Sequence, residues 1–146
     1  MIVDIKRLGP GDGHLLRDVA EDVFDDKLVA DRVAHFLNDD NHILIVACLK
    51  GRVIGQLAAM VHRHLDSPSE VYIDNLGVTP QHQRQGVATK LIERMLEIAR
   101  EFGCQSVWVA TEIDNEAAAA LYRRTGAVGE TVSMFSYALT ERWLNS

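Results

Sequence analysis

Long apolar runs are absent from this 146-residue sequence. A membrane-spanning helix needs about 18 or more consecutive apolar residues, so none is expected. The opening Met1-Ile2-Val3-Asp4-Ile5-Lys6 lacks the basic-then-apolar order of a secretory signal, and none is expected there either. Cysteine is scarce. Only Cys48 and Cys104 occur, each inside an apolar strand-like run, LIVACL and CQSVWVA. Buried reduced thiols are the preferred reading over a disulfide or a metal site, which points to the cytoplasm and to no metal. Positive charge is short as well: 15 Lys and Arg against 21 Asp and Glu leave a net charge of −6. That balance speaks against binding a nucleic-acid backbone. Repeats, low-complexity tracts and linkers are missing too, so residues 1–146 read as one domain.

What is present is an ordinary core-forming composition, 47% apolar and 25% charged. Residues 2–7 alternate apolar and polar, as a half-buried strand does. Leu15, Leu16, Val19, Ala20, Val23 and Phe24 recur at helical spacing. Val29, Val33, Phe36 and Leu37 make a second, shorter helix that ends near Asn38-Asp39. Residues 42–49 and 52–61, joined by Lys50-Gly51, read as a β-hairpin, and residues 70–78 as the next strand after a polar loop. A long amphipathic helix starts near Gly86, with Val87, Leu91, Met95 and Ile98 on its apolar face and Gly103 as its C-cap. Residues 106–110 form a short strand, and 115–124 a helix stopped by Gly126. A short extra strand around Ala127-Val128, a final strand over 131–139 and a loose tail over 141–144 complete the reading. The order β-α-α-β-β-β-α-β-α-β predicts an α/β (α+β) fold, a mixed central sheet with helices on both faces.

Negative charge is concentrated in Glu21, Asp22, Asp25, Asp26 and Asp31, followed by Asp39 and Asp40. A solvated helix face with its caps accounts for this cluster, and so does an acidic rim that attracts a cationic substrate.

The most informative stretch is Gln83-Arg84-Gln85-Gly86-Val87-Ala88, between a strand and a helix start. The first turn of a helix offers backbone N–H groups with no internal partner, and its dipole adds partial positive charge. Such donors suit a pyrophosphate. Gly86 lets the backbone approach the anion, Ala88 is small, Thr89 adds a hydroxyl, and Arg84 adds charge. The Lys-Ser/Thr pair of a P-loop is missing, as are the three spaced glycines of a dinucleotide fingerprint.

Gln83-x-x-Gly86-x-Ala88 resembles the Gln/Arg-x-x-Gly-x-Gly/Ala signature of the GNAT superfamily of acetyl-CoA-dependent N-acetyltransferases. The preceding Leu76-Gly77-Val78-Thr79-Pro80 is similar to that family's central strand and its exit. Asn115-x-x-Ala118-x-x-Leu121-Tyr122, followed by Gly126, is similar to its second CoA-binding helix; Ala127 stands where the family usually carries Phe. The resemblance implies acetyl-CoA as co-substrate. It implies that the backbone of Leu76, Gly77 and Val78 pairs with the pantetheine arm. Gln83, Arg84, Gln85, Gly86, Val87, Ala88 and Thr89 would hold the pyrophosphate. Asn115 and Ala118 would lie along the cofactor, and Tyr122 would present its hydroxyl to the CoA sulfur. Without the motif, Tyr122 reads as a core aromatic on an amphipathic helix. The family also commonly pairs near the C-terminus, which makes the 131–139 strand a route to a homodimer.

An acceptor amine with a lysine-like pKa near ~10.4 is protonated at neutral pH and needs a base. Asp74 is the preferred candidate, with Glu70, Glu112, Asp114 and a water relay in reserve, and His62 and His64 in a neighbouring loop. Regular alternation puts Tyr72, Asp74 and Leu76 on one face and Ile73 and Asn75 on the other, unless a bulge intervenes. Substrate contacts fall to Asp25, Asp26, Asp74, Asn75 and Glu112. Within the superfamily, Arg7-Leu8-Gly9-Pro10, Val23-Phe24-Asp25-Asp26, residues 69–73 and residues 83–92 most resemble the GNAT-type aminoglycoside 3-N-acetyltransferases. Those enzymes carry Tyr-Asp where this chain has Asp74-Asn75. The resemblance therefore implies a cationic small-molecule acceptor. A peptide or protein amine, or a polyamine, is the alternative within the same class, and a silent CoA-binding module is the alternative outside it.

Overall fold

The computed structural model describes residues 2–140, so the 141–144 tail lies outside the described residues. The chain divides into two compact units, Met1–Ala110 and Thr111–Ser146.

In the first unit, β1 (Asp4–Leu8), β2 (His42–Leu49), β3 (Arg52–His62), β4 (Glu70–Val78) and β5 (Ser106–Val109) form one sheet in sequence order. The pairings are antiparallel up to β4, and β4 pairs with β5 in parallel. A parallel pair needs a crossover, supplied here by α2 (Val87–Glu101). The β2–β3 turn is tight because Lys50 and Gly51 both take left-handed φ, 51° and 81°, the geometry that matches strand twist. Ile43 to Cys48 are all buried, as a continuous apolar run in a central strand requires.

α2 covers one face of the sheet with Val87, Leu91, Ile92, Met95, Ile98 and Ala99, all buried. Gly55 admits it closely: a Cβ there would meet Val87 Cγ1 at 3.1 Å and Leu91 Cδ1 at 3.4 Å. α1 (Ala30–Asn38) packs on β2 from the other side, with Leu37 buried, so helices do cover both faces.

The first expected helix does not form. Only Gly13–Leu16 makes a short 3-10 turn. Beyond it Val19 bridges Val53 in parallel: Val53 N–H donates to Asp18 O at 2.9 Å, and Ala20 N–H donates to Val53 O at 2.8 Å. Asp22 then turns left-handed, with φ 60°. Backbone groups that a helix would use internally are taken by β3, while Val23 is still buried at 1% exposure. The apolar spacing marked the burial of Ala20 and Val23, left Leu15, Leu16, Val19 and Phe24 half-buried, and mistook the geometry.

The second unit contains α3 (Glu116–Arg124), capped by Asn115 and ended at Gly126 with φ 105°. The expected strands at 127–128 and 131–139 do not form, and Val132, Met134, Phe135, Tyr137 and Leu139 are exposed. A strand is held by its neighbours, and α3 is the sole regular element among the described residues of this unit. The strand proposed for a homodimer is thus not formed in the single chain. The observed order, short 3-10 turns aside, is β-α-β-β-β-α-β-α.

Candidate active site

β4 changes character at its middle. Its first residues pair with β5, ending at Ile73 opposite Val109, whereas among the described residues Asp74 to Val78 keep only β3 as a strand partner. The register also slips there. Asn75 lies opposite Ala58 and Ile73 opposite Ala59, so Asp74 is an extra residue, a β-bulge. The bulge corrects the face assignment from simple alternation. Tyr72 and Asn75 now share a face with Ala58, while Ile73 and Leu76 share the α2 face with Leu57 and Ala59. Asp74 itself is exposed.

After β4, Pro80–His82 makes a 3-10 turn, and Gln83 Nε2 donates to Val78 O at 3.1 Å. Arg84 and Gly86 both take left-handed backbone, φ 61° and 83°. A Cβ on Gly86 would meet nothing within 4 Å, so its backbone, not crowding, calls for glycine. The first intrahelical bond runs from Lys90 N–H to Gly86 O at 3.1 Å. Among the described residues no side chain caps the helix, and its first turn has no acidic residue. The N–H groups of Val87, Ala88 and Thr89 are thereby left as outward donors with Arg84 exposed beside them, a set that fits a pyrophosphate.

On the α1 face lies a groove of about 300 Å³. Leu44, Ala58 and Asn75 line it from the sheet, Val33 and Phe36 from α1, and Asp25 and Asp26 from the acidic segment. For Glu21, Asp22, Asp25 and Asp26 the helix-face explanation falls with the helix, whereas Asp31 lies in the first turn of α1 and Asp39 at its C-cap. Asn75 Nδ2 donates to Asp25 Oδ2 at 3.4 Å, which joins two of the expected substrate residues. Sequence reasoning overlooked Gln56, whose Nε2 donates to Asn75 Oδ1 at 2.6 Å and to Val23 O at 3.2 Å. Its signal was a lone amide in the otherwise apolar run of β3. Gly77 has an unforeseen reason too: a Cβ there would lie 2.3 Å from Val23 O.

Glu70 is engaged at the other end of β4. Ser106 Oγ donates to its Oε2 at 2.8 Å, and His64 Nε2 lies 2.6 Å from Oε1. The Ser106 hydroxyl first, then His64, hold the Glu70 carboxyl below its ordinary value. The His62 and His64 rings lie tilted against each other, with centroids 4.5 Å apart. Cys48 and Cys104 are free thiols pushed up by burial, which disfavours the reactive thiolate; Cys48 is buried as expected, Cys104 only partly.

In the second unit Glu112 and Asp114 are exposed. Asn115 Oδ1 accepts from Ala118 N–H at 3.1 Å, an N-cap that leaves the Asn115 amide nitrogen available as a donor. Tyr122 is half-buried, and burial pushes its phenol above the ordinary value, so it stays a donor across the neutral range.

An acetyltransferase (GNAT) family model matches residues 13–127. The chain belongs to that family. Among curated GNAT-like relatives, N-alpha-acetyltransferase 30 of Schizosaccharomyces pombe is 32% identical over 92 residues, 63% of this chain and 61% of that protein. The chain spans less than two thirds of the length of this and the next such relatives. Against solved structures the coverage is nearly complete. An aminoglycoside acetyltransferase from an uncultured soil metagenomic sample is 30% identical, with a TM-score of 0.82 over 96% of this chain and 100% of that one. A second such enzyme, solved with sisomicin, is 26% identical with a TM-score of 0.84, covering 94% and 97%. The five-stranded mixed sheet with α2 as crossover is thus the GNAT fold.

Proposed function

We propose that this GNAT chain transfers the acetyl group of acetyl-CoA directly to a primary amine of a cationic small molecule, an aminoglycoside being the favoured acceptor. One observation carries the reading: β4 loses β5 at Ile73 and runs on into an uncapped α2 whose first-turn donors point outward. The unpaired edge of Leu76, Gly77 and Val78 suits an extended amide arm, and the turn from Gln83 to Thr89 suits the pyrophosphate. Asn115 and Ala118 would lie along the cofactor, as the family motif implies.

Acetyl-CoA supplies a thioester: the amine lone pair forms the new C–N bond, the C–S bond breaks, and CoA leaves. Tyr122 would give its phenolic proton or hydrogen bond to the departing sulfur. Asp74, exposed at the bulge, would take the proton that the amine sheds, directly or through water. Asp25 and Asp26 would meet the acceptor's ammonium groups, with Asn75 beside them. Support for an aminoglycoside comes from the sequence resemblance and from the two similar solved enzymes. The apolar groove wall, Val33 and Phe36 with Phe24, favours a second reading in which the acceptor is a peptide amine with an apolar side chain.

CoA release is measured with aminoglycosides, polyamines and short peptides, alongside Tyr122→Phe and Asp74→Asn. Turnover on aminoglycosides, cut about 100-fold in kcat by Tyr122→Phe and strongly reduced by Asp74→Asn, upholds the assignment. NMR of the product then reads whether the 3-N position is acylated. Turnover on peptides or polyamines alone replaces the acceptor. Tight acetyl-CoA binding without transfer to any amine overturns the enzyme reading.

A further inference from the structure

Gln56 sits at 0% exposure in the middle of β3, where an amide costs stability unless hydrogen-bonded. Its Nε2 donates twice, to Val23 O at 3.2 Å and to Asn75 Oδ1 at 2.6 Å. Its Oε1 is buried without a partner among the described residues. Two acceptors fix which end of the Gln56 amide faces them, and Gln56 in turn fixes Asn75. With Asn75 Oδ1 occupied, the NH2 end turns to Asp25 Oδ2 at 3.4 Å. Gly77, on the same face, lets Val23 O approach where any Cβ would collide. One buried amide therefore ties both the backbone at Val23 and, through Asn75, the carboxylate at Asp25 to the sheet. Asp25 remains exposed on the groove, with lone pairs left for a cation.

We propose that Gln56 is a positioning residue of the acceptor site, orienting Asn75 so that Asp25, rather than a carboxylate on β4, meets the ammonium in the groove. This rests on the acetyl-transfer reading above. The bulge at Asp74 is part of the device, because it puts an amide instead of a carboxylate on the groove face of β4. Cation recognition is thereby handed from the strand to the segment fastened over it. The ligand class is an ammonium; Asp26 lines the same groove as a second carboxylate, and Lys27 and Arg32 line it as cations.

The test uses the full chain. Gln56→Met keeps the volume and removes both donors; Asn75→Ala, at a half-buried position, breaks the same relay with less risk to folding. Each is made alone and in an Asp25→Asn background, with sisomicin as acceptor and spermine as a second probe. Expected is an acceptor KM raised about tenfold, with kcat and the acetyl-CoA KM within about twofold, and no further rise in the Asp25→Asn background. An unchanged acceptor KM, or rises that multiply with Asp25→Asn, overturns the proposal. If the wild-type protein acetylates no amine, the acetyl-transfer reading fails by itself. The fastening is then read by amide hydrogen exchange over residues 23–26. Faster exchange in both variants upholds it, and exchange equal to wild type overturns it.

Discussion

The two faces of β4 are held by different physics. On one, α2 lays down a continuous apolar stripe, from Val87 through Leu91 and Met95 to Ile98, against the sheet. On the other, the segment that carries Asp25 is irregular, and it is fastened by the missing Cβ of Gly77 and the donors of Gln56. Apolar packing is non-directional and spread over many atoms, so losing one group weakens the whole fold. A hydrogen-bonded clasp is directional and local, so losing it displaces one segment and leaves the sheet standing. Under the proposed function, the side built by packing would offer backbone donors to an anion, and the side built by the clasp would offer carboxylates to a cation.

The comparison is tested most severely by Leu91→Ala. A fully buried leucine truncated in a packed stripe should cost about 3 kcal/mol, lowering Tm by about 10 °C in a thermal melt. Gly77→Ala should cost less, about 2 kcal/mol, because Val23 and its segment can lift away from the intruding Cβ. Hydrogen exchange should then quicken over residues 18–26 and stay unchanged over α2. Equal exchange in the two regions would erase the distinction. Gly86→Ala should act on the anion side alone. A left-handed φ costs an L-residue about 1–2 kcal/mol, which calorimetry should read as about tenfold weaker acetyl-CoA binding, with the acceptor KM unmoved.

The smallest effect is expected at the far end of β4, with Ser106→Ala. The Glu70 carboxyl is held below its ordinary value in the fold, chiefly by the Ser106 hydroxyl. Its stabilisation is therefore present above the unfolded carboxylate range and lost as pH falls through the lowered value. Without the hydroxyl the folded value rises, so acid unfolding should begin at a higher pH, while stability near neutrality changes little.

Most of the sheet could be read from the chain. The hairpin of β2 and β3, the extent of β4, and α2 with its glycine stop are each fixed by local chemistry: an apolar run, a left-handed Lys50-Gly51 turn, a 3.6-residue stripe. The phosphate-suited turn was legible for the same reason, because its donors are backbone groups whose exposure follows from where a helix starts. Residues 15–24 were not, since the same apolar spacing also suits an irregular path that buries Ala20 and Val23 and half-buries the rest. The 131–139 strand was not, because alternation in sequence supplies no neighbouring strand to bond.

By itself the sequence determined the family signature, the element types along most of the first unit and the place of the anion-suited turn, because each depends on residues close together in the chain. The tertiary structure alone decided which face Asn75 shows, that Asp74 is the bulged residue, and that Gln56, Asn75 and Asp25 form one relay. Those depend on a register between strands and on hydrogen bonds spanning 19, 33 and 50 positions, and no local pattern encodes a partner that far away.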